Sequence, residues 1–178
     1  RPESESNHEE AWDDGTAEEG FNSGGSNTWL AVRFNAVSEG EAIKRVKWYQ
    51  MAPGGAFYIK FFEDNNGVPG VEIYSNLQTA GNKNGWNAVD LSMEGIIVSG
   101  DFWVGAKEFS SSRPFVLDVS SNSGNSYQRE ADSETWTPIN GNLGFRIYLD
   151  CENYTFDGCG VCGVPDEEIP GGSVWPGN

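Results

Sequence analysis

All three cysteines of the chain lie in the stretch CENYTFDGCGVCG, Cys151 to Gly163, and the Cys159-Gly-Val-Cys162 pair has the spacing of half a zinc site, a redox dithiol or an oxidised clip. Each reading needs more than the pair. Structural zinc takes four ligands and favours Cys and His, so three cysteines with no histidine nearby fall one short, leaving only Asp157 or Asp166 to complete the set. A thioredoxin-type dithiol opens a helix in a βαβ context, and the flanking TFDG and GVPDEE supply neither element. A disulfide asks only for an oxidising compartment.

The only histidine is His8, in an acidic leader, so a Ser-His-Asp or Cys-His machine, a histidine-rich metal centre and a histidine general base have no residue to use. Hydrolysis of a glycosidic bond needs only two carboxylates, and Glu63, Asp64, Glu72, Asp90, Asp101, Glu108, Asp118, Glu130 and Asp132 supply many. Acids on the faces and turns of an acidic protein are ordinarily solvated, and catalysis needs a perturbed environment. The chain is read as non-catalytic. In FFEDNNGVPGVEIY, aligning Gly67 to the glycine of a calcium loop puts Phe62 where the first carboxylate belongs. That segment is read as a hairpin, with Asn66-Gly67 and Pro69-Gly70 both good turn dipeptides. A structural Ca²⁺ has a better place in DDGTAEE, where Asp13, Asp14 and Glu18, with Glu19, offer hard oxygens near the first strand.

Seven tryptophans and six tyrosines in a small chain point to a carbohydrate platform. Sugar C–H faces stack on exposed rings while Arg, Asn and Asp bond the hydroxyls. Trp29, Arg33, Tyr58, Arg146 and Tyr148 are the candidate ligand-binding residues, set against the ordinary use of large aromatics to fill a core or to cover a sheet under a long loop.

Such residues must be presented by strands. Between the ends, short stretches alternate apolar and polar residues at period two, separated by Gly, Asn, Ser and Pro clusters, and helix signals are nearly absent. Strands are predicted over 29–36, 43–51, 56–63, 71–75, 86–91, 101–109, 115–120, 126–130 and 143–150, with an earlier one over 18–21. This suits an all-β, two-layer antiparallel sandwich of jelly-roll type. Leu30, Val32 and Phe34 share the inner side of their strand and Trp29, Ala31 and Arg33 the outer. Leu143, Phe145, Ile147 and Leu149 face in, with Arg146, Tyr148 and Asp150 out. Phe57, Ile59 and Phe61 are placed inside, opposite Tyr58, Lys60 and Phe62.

The 178 residues suit one domain. Its formal charge of −16 repels phosphate backbones and anionic lipid surfaces, which sets aside nucleic-acid recognition and polybasic lipid binding. No apolar run approaches the roughly 18 residues that span a bilayer, so no membrane insertion is expected. Six acids (Glu3, Glu5, Glu9, Glu10, Asp13 and Asp14) face Arg1 alone before Ala17, and no Lys or Arg follows Cys151. Residues 1–16 are therefore read as an acidic leader, 17–150 as the sandwich and 151–178 as a Cys/Gly/Pro-rich linker.

WDDGTAEEGF, WLAVRF, FEDNNGVPGVEIY, SGDFWVGAKE and WTPINGNLGFRIYL together resemble accessory β-sandwich modules of large secreted bacterial proteins, over about 11–150. DGCGVCG resembles Asp/Cys/Gly-rich segments of extracellular proteins, and SVWPGN the entry to dockerin-like calcium repeats. The resemblance implies a secreted or cell-surface setting, neighbouring domains in a longer chain and an oxidising compartment. There Cys151 can pair with Cys159 or Cys162. The expected function is binding of a glycan or surface attachment; a structural or assembly module contacting proteins in a surface layer, fibre or sorting apparatus is the alternative, and a two-carboxylate glycosidase the third.

Overall fold

The period-two pattern of Trp29–Ala36 is realised in a computed structural model that describes residues 7–21, 27–52, 56–78, 83–108 and 115–151 and the short strands at 155–156 and 162–163. Leu30, Val32 and Phe34 are buried, while on the opposite side Trp29 and Arg33 stay partly exposed and Ala31 is buried under the residues that cover that face. In chain order the strands are β1 (Asn7–Ala11), β2 (Glu19–Phe21), β3 (Trp29–Gln50), β4 (Phe57–Asn65), β5 (Val68–Gln78), β6 (Gly85–Asp90) and β7 (Ile97–Glu108). They continue with β8 (Phe115–Asp118), β9 (Ser126–Arg129), β10 (Thr137–Pro138), β11 (Asn142–Leu143), β12 (Phe145–Cys151), β13 (Thr155–Phe156) and β14 (Cys162–Gly163). The described residues contain no helix, and every strand pair is antiparallel.

The long strand β3 organises the fold. Its first half pairs with β7 from Trp29 to Ala36 and with β9 from Trp29 to Val32; its second half pairs with β12 from Glu41 and with β6 from Arg45. The register against β7 shifts between Ala36 and Glu41, where Gly40 takes a positive φ of 77°. Extra residues in one strand bend it and increase its twist, and glycine adopts a positive φ without a Cβ clash. The two strands predicted over 29–36 and 43–51 are thus one, which changes layer at the bulge instead of turning back.

One layer runs β5-β4-β7-β3-β9-β10 and the other β1-β12-β3-β6, with β8 bridging Gln50 to Phe115 and carrying β2 and β11. Between them, Leu30, Phe34, Phe57, Phe61 and Phe102 from the first layer meet Val46, Trp48, Phe145, Ile147 and Leu149 from the second in one buried cluster. Trp48 meets Phe57 edge-on at 5.3 Å. The inward faces of β3, β4 and β12 are those that alternation predicts. The fold is an all-β, two-layer antiparallel sandwich.

Asn66 and Gly67 form the β4–β5 turn, both at positive φ (53° and 86°), while Pro69 and Gly70 fall inside β5. Two consecutive left-handed residues are what a tight two-residue hairpin requires. The leader departs from expectation: residues 7–11, read as part of a solvated linker, form an edge strand paired with β12 from Asn7↔Asp150 to Ala11↔Arg146. Its acids have counter-charges waiting. Glu9 reaches Lys47 and Arg146, each at 3.2 Å, and the Trp12 indole N–H donates to the Arg33 carbonyl at 2.7 Å.

Candidate functional site

The outer face of the first layer is built in register lines. Tyr58 on β4 stands opposite Lys107 on β7, Lys107 opposite Trp29 on β3, and Trp29 opposite Arg129 on β9. The adjacent line runs Lys60, Gly105, Ala31, Tyr127 and the next Phe62, Trp103, Arg33. Gly105 has no room for a side chain, since a Cβ there would overlap the Leu30 carbonyl oxygen.

Much of this aromatic content is structural. Ala31, Phe62 and Trp103 form a second buried cluster, covered by Trp29, Tyr127 and Trp136. Trp136 approaches from the segment between β9 and β10 and lies 6.1 Å from Phe62. Tyr127 meets Trp103 edge-on at 5.2 Å, and the Trp103 indole donates to Asp64 Oδ1 at 2.7 Å. Asp64 Oδ2 accepts the Gly67 N–H at 3.0 Å, tying the turn to the sheet face.

Partly exposed Trp29 sits at the centre of a group of cations. Arg129 lies 4.4 Å from its ring centroid, Lys107 5.0 Å and Lys60 5.4 Å, while Arg129 also lies 5.2 Å from the Trp136 ring and Lys60 5.0 Å from Tyr58. Lys60 is ion-paired with Glu72 at 2.7 Å. Arg33 lies 5.8 Å from the Trp103 ring and donates Nε–H to Asn125 at 3.0 Å. Among the described residues neither Lys107 nor Arg129 has a carboxylate partner, and Arg129 Nε is buried without an acceptor. Burial pushes the Arg129 guanidinium pKa below its ordinary value, against a smaller opposing pull from Glu134.

The five predicted ligand-binding residues do not converge. Trp29, Arg33 and Tyr58 share this face, whereas Arg146 and Tyr148, on β12, belong to the other layer. Arg146 is committed to Asp13, with bonds of 2.5 and 3.1 Å, and to Glu9, and its guanidinium lies over Trp86 at 4.4 Å. Hydrogen bonding to Asp13 raises the Arg146 pKa, and hydrogen bonding to Glu9 raises that of Tyr148. Tyr148 is covered by Arg45 at 4.1 Å. Lys60, Lys107, Arg129 and Trp136 were not among the predicted site residues. Alternation marks Lys60 as outward, but only strand order puts these side chains around Trp29.

An open cleft of about 330 Å³ on the second layer is lined by Lys47, Gln78, Lys83, Trp86 and Asn87. Another, of about 390 Å³, is lined by Glu63, Asp64, Ile73, Ile97, Ser99 and Asp101. Two of its three acids hold structure: Asp64 through the Trp103 and Gly67 N–H groups, and Asp101 by accepting from Asn35 at 2.7 Å.

The expected calcium trio is rearranged. Asp14 and Glu18 stay together, but Asp13 is drawn to Arg146 and the third carboxylate is Asp118 from β8, the three offering oxygens within 4.8 Å of one another. One oxygen of each already accepts backbone N–H groups: Asp14 from Thr16, Glu18 from Val119 and Ser120, Asp118 from Ser120 and Ser121. Of the cysteines, Cys151 closes β12 and Cys162 opens β14. Cys159 and the predicted pairing of the three lie outside the described residues.

No family model and no curated protein matches this chain. Solved structures do. The cysteine protease and lectin-like domains of Cwp84, a surface layer associated protein of Clostridium difficile, align with a TM-score of 0.55 at 16% identity over 71% of this chain and 33% of that one. A clostridial Cwp84 structure after propeptide cleavage aligns at 0.65 and 15% identity over 84% of this chain and 41% of that one. The present chain therefore spans between a third and about two-fifths of those chains, and at such identity the likeness is one of fold.

Proposed function

We propose that this chain is a non-catalytic binding module of a secreted or cell-surface protein, and that it holds a glycan on the outer face around Trp29. The observation that carries the reading is the register line Tyr58, Lys107, Trp29, Arg129, which combines two partly exposed rings with hydrogen-bond donors across four adjacent strands. An aromatic ring gives a sugar an apolar face to stack on, and flanking N–H groups orient its hydroxyls. The fold likeness to a chain with a lectin-like domain, from a surface layer associated protein, supports the same assignment.

One observation favours protein contacts as well. β5 is an edge strand, and its Val71 (68% exposed), Leu77 (48%) and Ile73 (37%) leave an apolar edge uncovered. Such an edge is a template for another strand or a neighbouring domain.

A glycan array read with the folded chain and Trp29→Ala separates these readings. Glycan hits weakened about tenfold or more by the substitution are expected, since stacking on one aromatic is worth on the order of 1 kcal/mol beyond its buried area. Hits that survive Trp29→Ala unchanged refute this face as the site.

A further inference from the structure

We infer that the glycan held at this face is acidic, a polymer of carboxylated sugars, with Lys107 and Arg129 supplying the counter-charges on either side of the Trp29 ring. The inference rests on the glycan reading above and names its ligand class.

The chain has 27 acids against 11 Lys and Arg, so a cation left without an acid is the exception to be explained. Four cations, Arg33, Lys60, Lys107 and Arg129, share one outer face. Glu72 neutralises Lys60, and Asn125 takes the Arg33 Nε–H. Among the described residues no carboxylate lies within ion-pair distance of Lys107 or Arg129; both lie over the Trp29 ring, Arg129 also over Trp136, and Glu134 exerts only a smaller, more distant pull on Arg129.

Burial matters as much as charge. Arg129 Nε is sealed without an acceptor, while Lys107 and Arg129 are both partly exposed as residues. A half-buried guanidinium that has already lost part of its hydration gains more from an incoming carboxylate than a fully solvated one does. Because Lys107 comes from β7 and Arg129 from β9, the donors flank the ring that would stack on the sugar. A uronic acid fits that arrangement chemically, since its carboxylate projects from the rim of a ring whose C–H face is apolar. The net charge of −16 opposes polyanions at long range. Retention must then come from local stacking and pairing together, which favours an acidic sugar over a polyanion that offers charge alone.

The test is binding of the folded chain at about 0.15 M salt, where the screening length is about 8 Å. The immobilised panel holds polygalacturonate, alginate and hyaluronate, their carboxyl-reduced counterparts, neutral mannan and cellulose, and poly-glutamate. The expected result is binding to a carboxylated polysaccharide that falls about tenfold or more on carboxyl reduction and in Lys107→Gln or Arg129→Gln, each charged contact being worth about that factor. Lys83→Gln, on the cleft of the other layer, should bind as the parent does. Arg129→Lys keeps the charge and serves if Arg129→Gln loses its cooperative melt. Equal binding to the reduced polymers overturns the acidic-ligand inference and leaves the glycan reading standing. Poly-glutamate bound as tightly as the uronates also overturns it and points to an acidic protein partner. Failure to bind any polysaccharide on the panel removes both.

Discussion

Arg146→Met tests the docking of the acidic leader against the sandwich. The Arg146 side chain is 18% exposed and that of its partner Asp13 only 2%, and the two are joined by two bonds, with a third from Arg146 to Glu9. Breaking a fully buried pair by removing one partner costs about 3–5 kcal/mol, because the remaining charge stays desolvated. An exposed pair is worth roughly 0.2–1 kcal/mol. Arg146 lies between these limits, so the loss is set at about 2 kcal/mol, methionine retaining much of the apolar contact with Trp86. For a chain of this length about 2–4 °C of Tm accompanies each kcal/mol, which predicts a fall of about 4–8 °C. Urea denaturation of the parent, Arg146→Met, Asp13→Asn and the double variant should return a coupling of about 1 kcal/mol or more. Hydrogen exchange should show backbone amides of β1 protected in the parent and less so in Arg146→Met. Additivity of the two substitutions within about 0.3 kcal/mol, or unprotected amides throughout residues 7–11 of the parent, would refute the docked leader.

Trp103→Phe keeps most of the buried ring but removes the N–H that Asp64 accepts. A loss of about 2 kcal/mol by urea denaturation is expected, as for a hydrogen bond to a charged group; a change below about 0.5 kcal/mol would show that this bond does not anchor the β4–β5 turn. Asp118 is opposed by burial, yet donors from Ser120 and Ser121 outweigh it and hold its pKa at about 2, below the ordinary 3.8. The folded pKa lies below the unfolded one, so its contribution to stability is present above about pH 4 and is lost as pH falls through about 2. The stability difference between the parent and Asp118→Asn should therefore shrink across that window, and a difference constant from pH 5 to pH 2 would contradict the assignment.

The inner faces were legible because burial on one side of a strand imposes a period of two that any window of a few residues displays. Leu30, Val32 and Phe34, and equally Phe145, Ile147 and Leu149, are buried where alternation puts them. The β4–β5 hairpin was legible for a different local reason, since Asn66-Gly67 satisfies two positive φ angles. The candidate site was legible only in part. Alternation says that Trp29, Tyr58, Arg146 and Tyr148 point outward, but a sandwich has two outsides, and nothing local to a strand says which one.

By itself, then, the sequence determined an all-β chain with defined inner faces, one sharp hairpin, an acidic surface and no histidine for chemistry outside the leader. These follow from neighbours a few residues apart and from composition. The tertiary structure alone decided that β3 crosses both layers, that Asp13 answers Arg146 while Asp118 joins Asp14 and Glu18, and that Lys107 and Arg129 flank Trp29. Those contacts join residues tens to more than a hundred positions apart, through strand pairings whose order is set by packing the whole core and leaves no local period to read.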